Sequence, residues 1–145
     1  MEPTLETVIV SDMHLTEAQQ PEPSRPLWMA YKRREYFVDS AFEDFLEFID
    51  EQAEGPIELV LNGDIFDFDN ILALPEQHEH PIDWLARCRG LASEEWMSVF
   101  KMGVIIQDHQ QWFRALGDFI RRGHRAVFII GNHDVELYWP AVQRL

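Results

Sequence analysis

The chain has 145 residues, 46% of them hydrophobic, enough for one domain with a buried core and too apolar for a disordered tail. Its formal net charge of −14 disfavours nucleic-acid phosphates as partners, and an anionic substrate would need positive charge brought to it, most simply by bound divalent cations. No apolar run approaches the ~20 residues of a membrane span. The acidic start Met1-Glu2-Pro3-Thr4-Leu5-Glu6 is unlike a signal peptide, and the single cysteine, Cys88, permits no internal disulfide; together these features lead to the expectation of a cytoplasmic protein.

Leu5 to Val10, rich in Val, Ile and Thr, predicts a first strand, and Ser11 to His14 turn out of it. Thr16 to Pro26 carries Pro21, Pro23 and Pro26 and reads as a loop. Lys32-Arg33-Arg34 is a solvated helix start on the simpler reading and an anion-holding patch on the other. Glu35 to Glu51 predicts a helix. Val38, Ala41, Phe42, Phe45, Leu46 and Ile49 recur on one face, with Asp39, Glu43, Glu47, Asp50 and Glu51 mostly on the other. Gly55-Pro56 ends it, and Ile57 to Leu61 predicts a second strand, completing a βαβ unit with a right-handed crossover.

The stretch from Phe68 to about Gly103 is less regular. Leu74 to Pro81 reads as an exposed loop. Ile82 to Arg89 and Ser93 to Met102 read as short helices, with Trp84, Leu85, Trp96, Met97, Val99 and Phe100 as apolar points. These points belong to the core on one reading and to a lid or partner surface over residues 82–102 on the other. A second amphipathic helix is expected over Ile106 to Arg122, its apolar face marked by Trp112, Phe113, Leu116, Phe119 and Ile120 and its end by Gly123. Arg125 to Ile130 predicts a third strand. Pro140 sits where a first helical turn would begin, and Leu145 falls inside that turn, which leads to the expectation that the sequence is the amino-terminal part of a longer domain.

Each predicted strand ends in metal-ligand chemistry. Asp12 and His14 are two apart, so in extended chain both would point to one side and grip one ion. Carboxylate oxygen with imidazole nitrogen suits manganese, iron or zinc better than calcium. Gly63 lets the backbone bend without a Cβ clash and leaves Asp64 at the strand tip, where two carboxylate oxygens can bridge two cations; Asp67 is placed to orient a neighbouring donor. Asn132 offers an amide oxygen, and His133 is the residue type suited to proton transfer near neutrality, with Asp67 or Asp134 able to hold its ring. Any one of these is an ordinary turn or helix cap. Three of them at the ends of three strands indicate one polar site at the carboxyl edge of a parallel sheet. No glycine-rich phosphate loop follows Val10 or Leu61, which argues against a nucleotide-binding α/β protein.

Taken in order, Asp12-Met13-His14, Gly63-Asp64-Ile65-Phe66-Asp67 and Gly131-Asn132-His133-Asp134 resemble the first three signature blocks of the calcineurin-like metallophosphoesterases. The resemblance implies an α/β fold of layered α+β type, a metal-dependent phosphatase-like β-sandwich flanked by helices. Residues 1–145 would form the amino-terminal part of a single such domain, with an insertion or lid-like segment at about 68–105. It implies two divalent metal ions, manganese foremost with iron, zinc, nickel or magnesium as alternatives. Asp12 and His14 would bind the first, Asp64 would bridge both, and Asn132 would bind the second. His133 would act on the leaving-group oxygen, with Asp67 and Asp134 supporting it. The implied activity is hydrolysis of a phosphoester or phosphoanhydride in a phosphorylated small-molecule or lipid-linked substrate, the two cations being about 3.5–4 Å apart in such centres.

The family's later blocks, a lone His and then Gly-His-x-His, have no match after Asp134. His78 and His80 have the spacing of a pair but fall in an acidic loop and read as solvated; His109 and His124 read as helix and loop residues. The site is therefore expected to be incomplete as the sequence stands. The alternative is a non-catalytic scaffold of the same fold that binds a protein partner through Trp84, Trp96 and their neighbours. Within the family, Ser11 to Leu15 and Gly63 to Asp67 resemble the branch that cleaves the pyrophosphate of UDP-diacylglucosamine in lipid A synthesis, which would bring peripheral membrane association. That branch carries Arg where this chain has His133, and its segment between the second and third blocks is shorter.

Overall fold

A computed structural model describes residues 5–18, 38–76, 82, 84 and 89–145. Three strands form one parallel sheet in the order β1 (Glu6–Val10), β2 (Ile57–Asn62), β3 (Arg125–Ile129). Val8 lies beside Leu59, and Leu59 beside Ala126, so the three chains run in step toward a common carboxyl edge. Helix α1 (Asp39–Gln52) connects β1 to β2, and α2 (Glu95–Asp108) and α3 (Gln110–Arg121) lie between β2 and β3. This is the expected α/β layering of helices on a parallel sheet.

Side chains alternate along β2. Ile57, Leu59 and Leu61 are buried, and they join Phe42, Leu46, Trp112, Leu116 and Phe119 in one core. The Phe42 and Trp112 rings stack at 4.6 Å and pin α1 against α3. The other sheet face carries Ile9 and Ile129, both exposed, beside half-buried Val60 and Val127. A sandwich needs a second sheet there, and among the described residues there is one sheet only. No helix among the described residues is long and apolar enough to cross a membrane.

Several expectations need correction. The described part of the first helix begins at Asp39, and Asp39 is 1% exposed rather than on the solvent face, because its carboxylate is held by His109 and Trp112. Ala41 is exposed. The break between the later helices falls at His109, not between Met102 and Ile106, because the His109 ring turns inward to Asp39 and the Thr16 carbonyl. Ile120 points outward, 47% exposed. Two 3-10 turns, Val135–Tyr138 and Val142–Arg144, replace the helix expected at Pro140. The prolines of 21–26, the basic run 32–34, His78, His80, Leu85 and Cys88 lie outside the described residues.

Candidate metal centre

Beyond the strands the chains stay in register. Asp12 N donates to Gly63 O at 3.2 Å, His14 N to Asp64 O at 3.0 Å and Leu15 N to Ile65 O at 2.8 Å; Asp67 N then returns a bond to Leu15 O at 2.8 Å. These four bonds lay the first motif along the second. Asp12, His14 and Asp64 do so with left-handed backbone, at φ of 56°, 50° and 52°. The extended-chain geometry expected for Asp12 and His14 is therefore wrong in detail. Left-handed residues flank Met13, and the neighbouring turn rather than a strand pleat brings the two side chains together. Asp and His tolerate this region better than most residues, yet it costs about 1–3 kcal/mol at each position.

The third motif closes on the second. Gly63 N donates to Ile129 O at 2.8 Å, His133 N to Asp64 Oδ1 at 2.9 Å, and Phe68 N to His133 O at 3.2 Å. The buried Asp134 carboxylate accepts from Ile65 N at 2.9 Å and from Gly131 N, so its oxygens tie the two motifs together through the backbone. Gly131 has to be glycine, since a Cβ there would fall on the Asp64 carboxylate and backbone nitrogen.

The result is one polar patch at the carboxyl edge of the sheet. Asp12, His14 and Asp64 each present a ligand atom within 4.8 Å of the others, and His14, Asp67 and His133 do the same. The His14 and His133 rings stand 4.9 Å apart, edge to face. Residues 5–145 match the family model for calcineurin-like phosphoesterases. The chain belongs to that family. No curated protein and no solved structure matched it.

Calcineurin-like phosphoesterases are metal-dependent phosphoester hydrolases that use divalent metals, and the donors gathered here suit such ions. Asp12 and Asp64 bring two carboxylates to the same few ångströms as an imidazole, a set of hard oxygens with one nitrogen. His133 Nδ1 is buried without a hydrogen-bond partner, its nearest acids being Asp67 and Asp69 at 3.7 Å. Asp67 is buried between the two rings, 3.6 Å from His14 Nδ1, and accepts from the Asp69 and Asn70 backbone and from the Asn70 amide. Asn132 is exposed at the tip of the phosphoesterase turn, between Gly131 and His133.

The other described histidines are engaged elsewhere. His124 bonds Asp50 and Ile57 N and stacks on Phe119. His109 is buried against Asp39 and Thr16. In the segment read either as core or as a lid or partner surface, Trp84 is 76% exposed, whereas α2 sends Ser98, Lys101, Met102 and Ile105 inward. Sequence reasoning missed Asp69 beside His133 and the buried Lys101–Glu136 pair at 2.9 Å, since neither follows an apolar period. It also missed Glu17, whose carboxylate accepts from Leu72 N and Ala73 N.

Proposed function

We propose that this phosphoesterase hydrolyses a phosphoester or phosphoanhydride at a dinuclear centre on the sheet edge. Asp12, His14 and Asp64 hold one ion, and Asp64 with Asn132 the second. The observation that carries this reading is the convergence of Asp12, His14 and Asp64 within 4.8 Å at the ends of parallel strands. Divalent ions held by these residues would supply positive charge for the phosphoryl oxygens and a water acidified toward neutral pH. Asp64 has two tasks, since its carboxylate also takes the His133 N–H, on Oδ1, and so sets the turn carrying His133. The half-exposed His133 ring gives its proton to the departing oxygen, and Asp67, between the rings of His14 and His133, steadies both. We read the substrate as a phosphorylated small molecule or a lipid-linked pyrophosphate, manganese as the leading metal and the cytoplasm as the compartment.

The test is hydrolysis of an aryl phosphomonoester and an aryl phosphodiester after chelation and after return of Mn2+. Turnover that vanishes on chelation, returns with Mn2+ and is lost in Asp12→Ala supports the reading. Turnover indifferent to both removes it. One observation favours a second reading: among the described residues, no histidine other than His14 and His133 reaches the centre. On that reading the protein is a non-catalytic scaffold of the same fold, and neither ester is cleaved in the presence of Mn2+.

A further inference from the structure

Left-handed backbone at Asp12 and His14 persists only where the surroundings enforce it. Upstream, β1 does so. Downstream, the second motif holds Leu15 through Ile65 and Asp67, and the residues after it are held by the junction of two helices that carries none of the three motifs. Thr16 O accepts from His109 Nε2 at 2.8 Å, and Ala18 N donates to Asp108 Oδ2 at 2.9 Å. Behind them, His109 Nδ1 lies 2.6 Å from Asp39 Oδ1, and Asp39 Oδ2 accepts from Trp112 N at 3.3 Å. His109 is wholly buried, and a carbonyl can only accept, so its Nε2 carries a proton. A buried polar pair of this kind is demanding to keep, and here it interrupts the helical run between α2 and α3. Its product is a fixed Thr16 carbonyl, two residues beyond His14.

We infer that His109, backed by Asp39 and assisted by Asp108, is a positioning residue for the metal-binding loop. It holds the Leu15–Ala18 segment where Asp12 and His14 can bind an ion together. This rests on the reading of Asp12 and His14 as metal ligands.

The experiment is calorimetric titration of Mn2+ into the whole protein and its variants, with folding followed by circular dichroism. His109→Leu removes both ring bonds, and His109→Gln keeps an N–H donor directed at the Thr16 carbonyl. Asp108→Ala, at a half-exposed position, removes the acceptor for Ala18 N without emptying the core. The expected result is Mn2+ affinity weakened roughly tenfold or more in His109→Leu and Asp108→Ala, with partial recovery in His109→Gln. A purely structural role lowers Tm and leaves the Mn2+ affinity of the folded variants at the wild-type value, and that result overturns the inference. If His109→Leu does not fold, Asp108→Ala decides the matter by the same criterion. Asp12→Ala separates the two levels of the argument. If it binds Mn2+ as well as the wild type, or the wild type binds none, the ligand reading itself fails and the positioning role falls with it.

Discussion

The backbone N–H of His133 donates to Asp64 Oδ1 at 2.9 Å, so the acid that follows β2 also shapes the turn that follows β3. Charge and shape at Asp64 can therefore be separated. Asp64→Asn retains an oxygen for the His133 N–H but loses the negative charge. Metal-dependent hydrolysis should fall on the order of 100-fold while Tm stays close to wild type. Asp64→Ala should lose activity and also Tm, because the His133 N–H loses its acceptor. Near-normal turnover in Asp64→Asn with Mn2+ supplied would exclude Asp64 as a ligand.

Gly131 lets the third motif approach the second. A methyl group there meets the Asp64 carboxylate and amide, both fixed by the surrounding turn. Gly131→Ala is expected to destabilise the fold by about 1–3 kcal/mol, the usual range for forcing extra volume into a packed site. Because the strain falls directly on Asp64, Mn2+ affinity should drop as well. Denaturant unfolding and Mn2+ titration of the same preparation check both effects. Wild-type stability with wild-type Mn2+ affinity would mean that the turn yields without cost.

Much of this arrangement was legible in the sequence. Val8, Ile9 and Val10, then Leu59, Val60 and Leu61, then Val127, Phe128 and Ile129 are apolar runs of β-branched, aliphatic and aromatic residues, each broken by residues that turn the chain and carry an acid, amide or imidazole. Period and punctuation thus located all three strands to within a residue. Other features depend on partners remote in the chain. Asp39 reads as a solvent-facing helix residue until His109, 70 positions away, is known to lie against it. The His109 break has the same cause, since nothing local interrupts the helical pattern between Ile106 and Arg122. The spacing of Asp12 and His14 led to the expectation that their side chains lie together, and their ligand atoms do converge with that of Asp64. Their left-handed backbone comes from bonds to Gly63 and Asp64, which no local pattern encodes.

Lys101 and Glu136 form a second long-range pair, 2.9 Å apart with both side chains almost wholly buried. Lys101 also reaches Leu91 O at 3.4 Å and lies 5.7 Å from the Phe68 ring centroid. The pair joins α2 to the 3-10 turn that follows Gly131-Asn132-His133-Asp134. Glu136→Ala leaves the ammonium buried without its counter-charge and should cost about 3–5 kcal/mol. Lys101→Met combined with Glu136→Leu replaces both charges with apolar volume and should recover much of that loss. Urea unfolding of Lys101→Met, Glu136→Leu and the double variant tests the coupling. Strictly additive losses would mean that the two charges do not act as a pair.

Asp67 separates a capping role from a catalytic one. Its carboxylate accepts from Asp69 N at 3.1 Å and Asn70 N at 3.2 Å, which begins a 3-10 turn, and it also stands within 3.7 Å of both His14 and His133. Asp67→Ala removes the cap and should cost about 0.5–2 kcal/mol in unfolding free energy. Asp67→Asn keeps an oxygen for the backbone donors, so its stability should remain near wild type. It still removes the charge that lies within 3.7 Å of both imidazoles, and turnover should fall roughly 10-fold or more. Measured together, Tm and metal-dependent hydrolysis distinguish the roles. An Asp67→Asn variant as active as wild type would reduce Asp67 to a turn residue and leave His14 and His133 to be oriented by their own backbone bonds to Asp64.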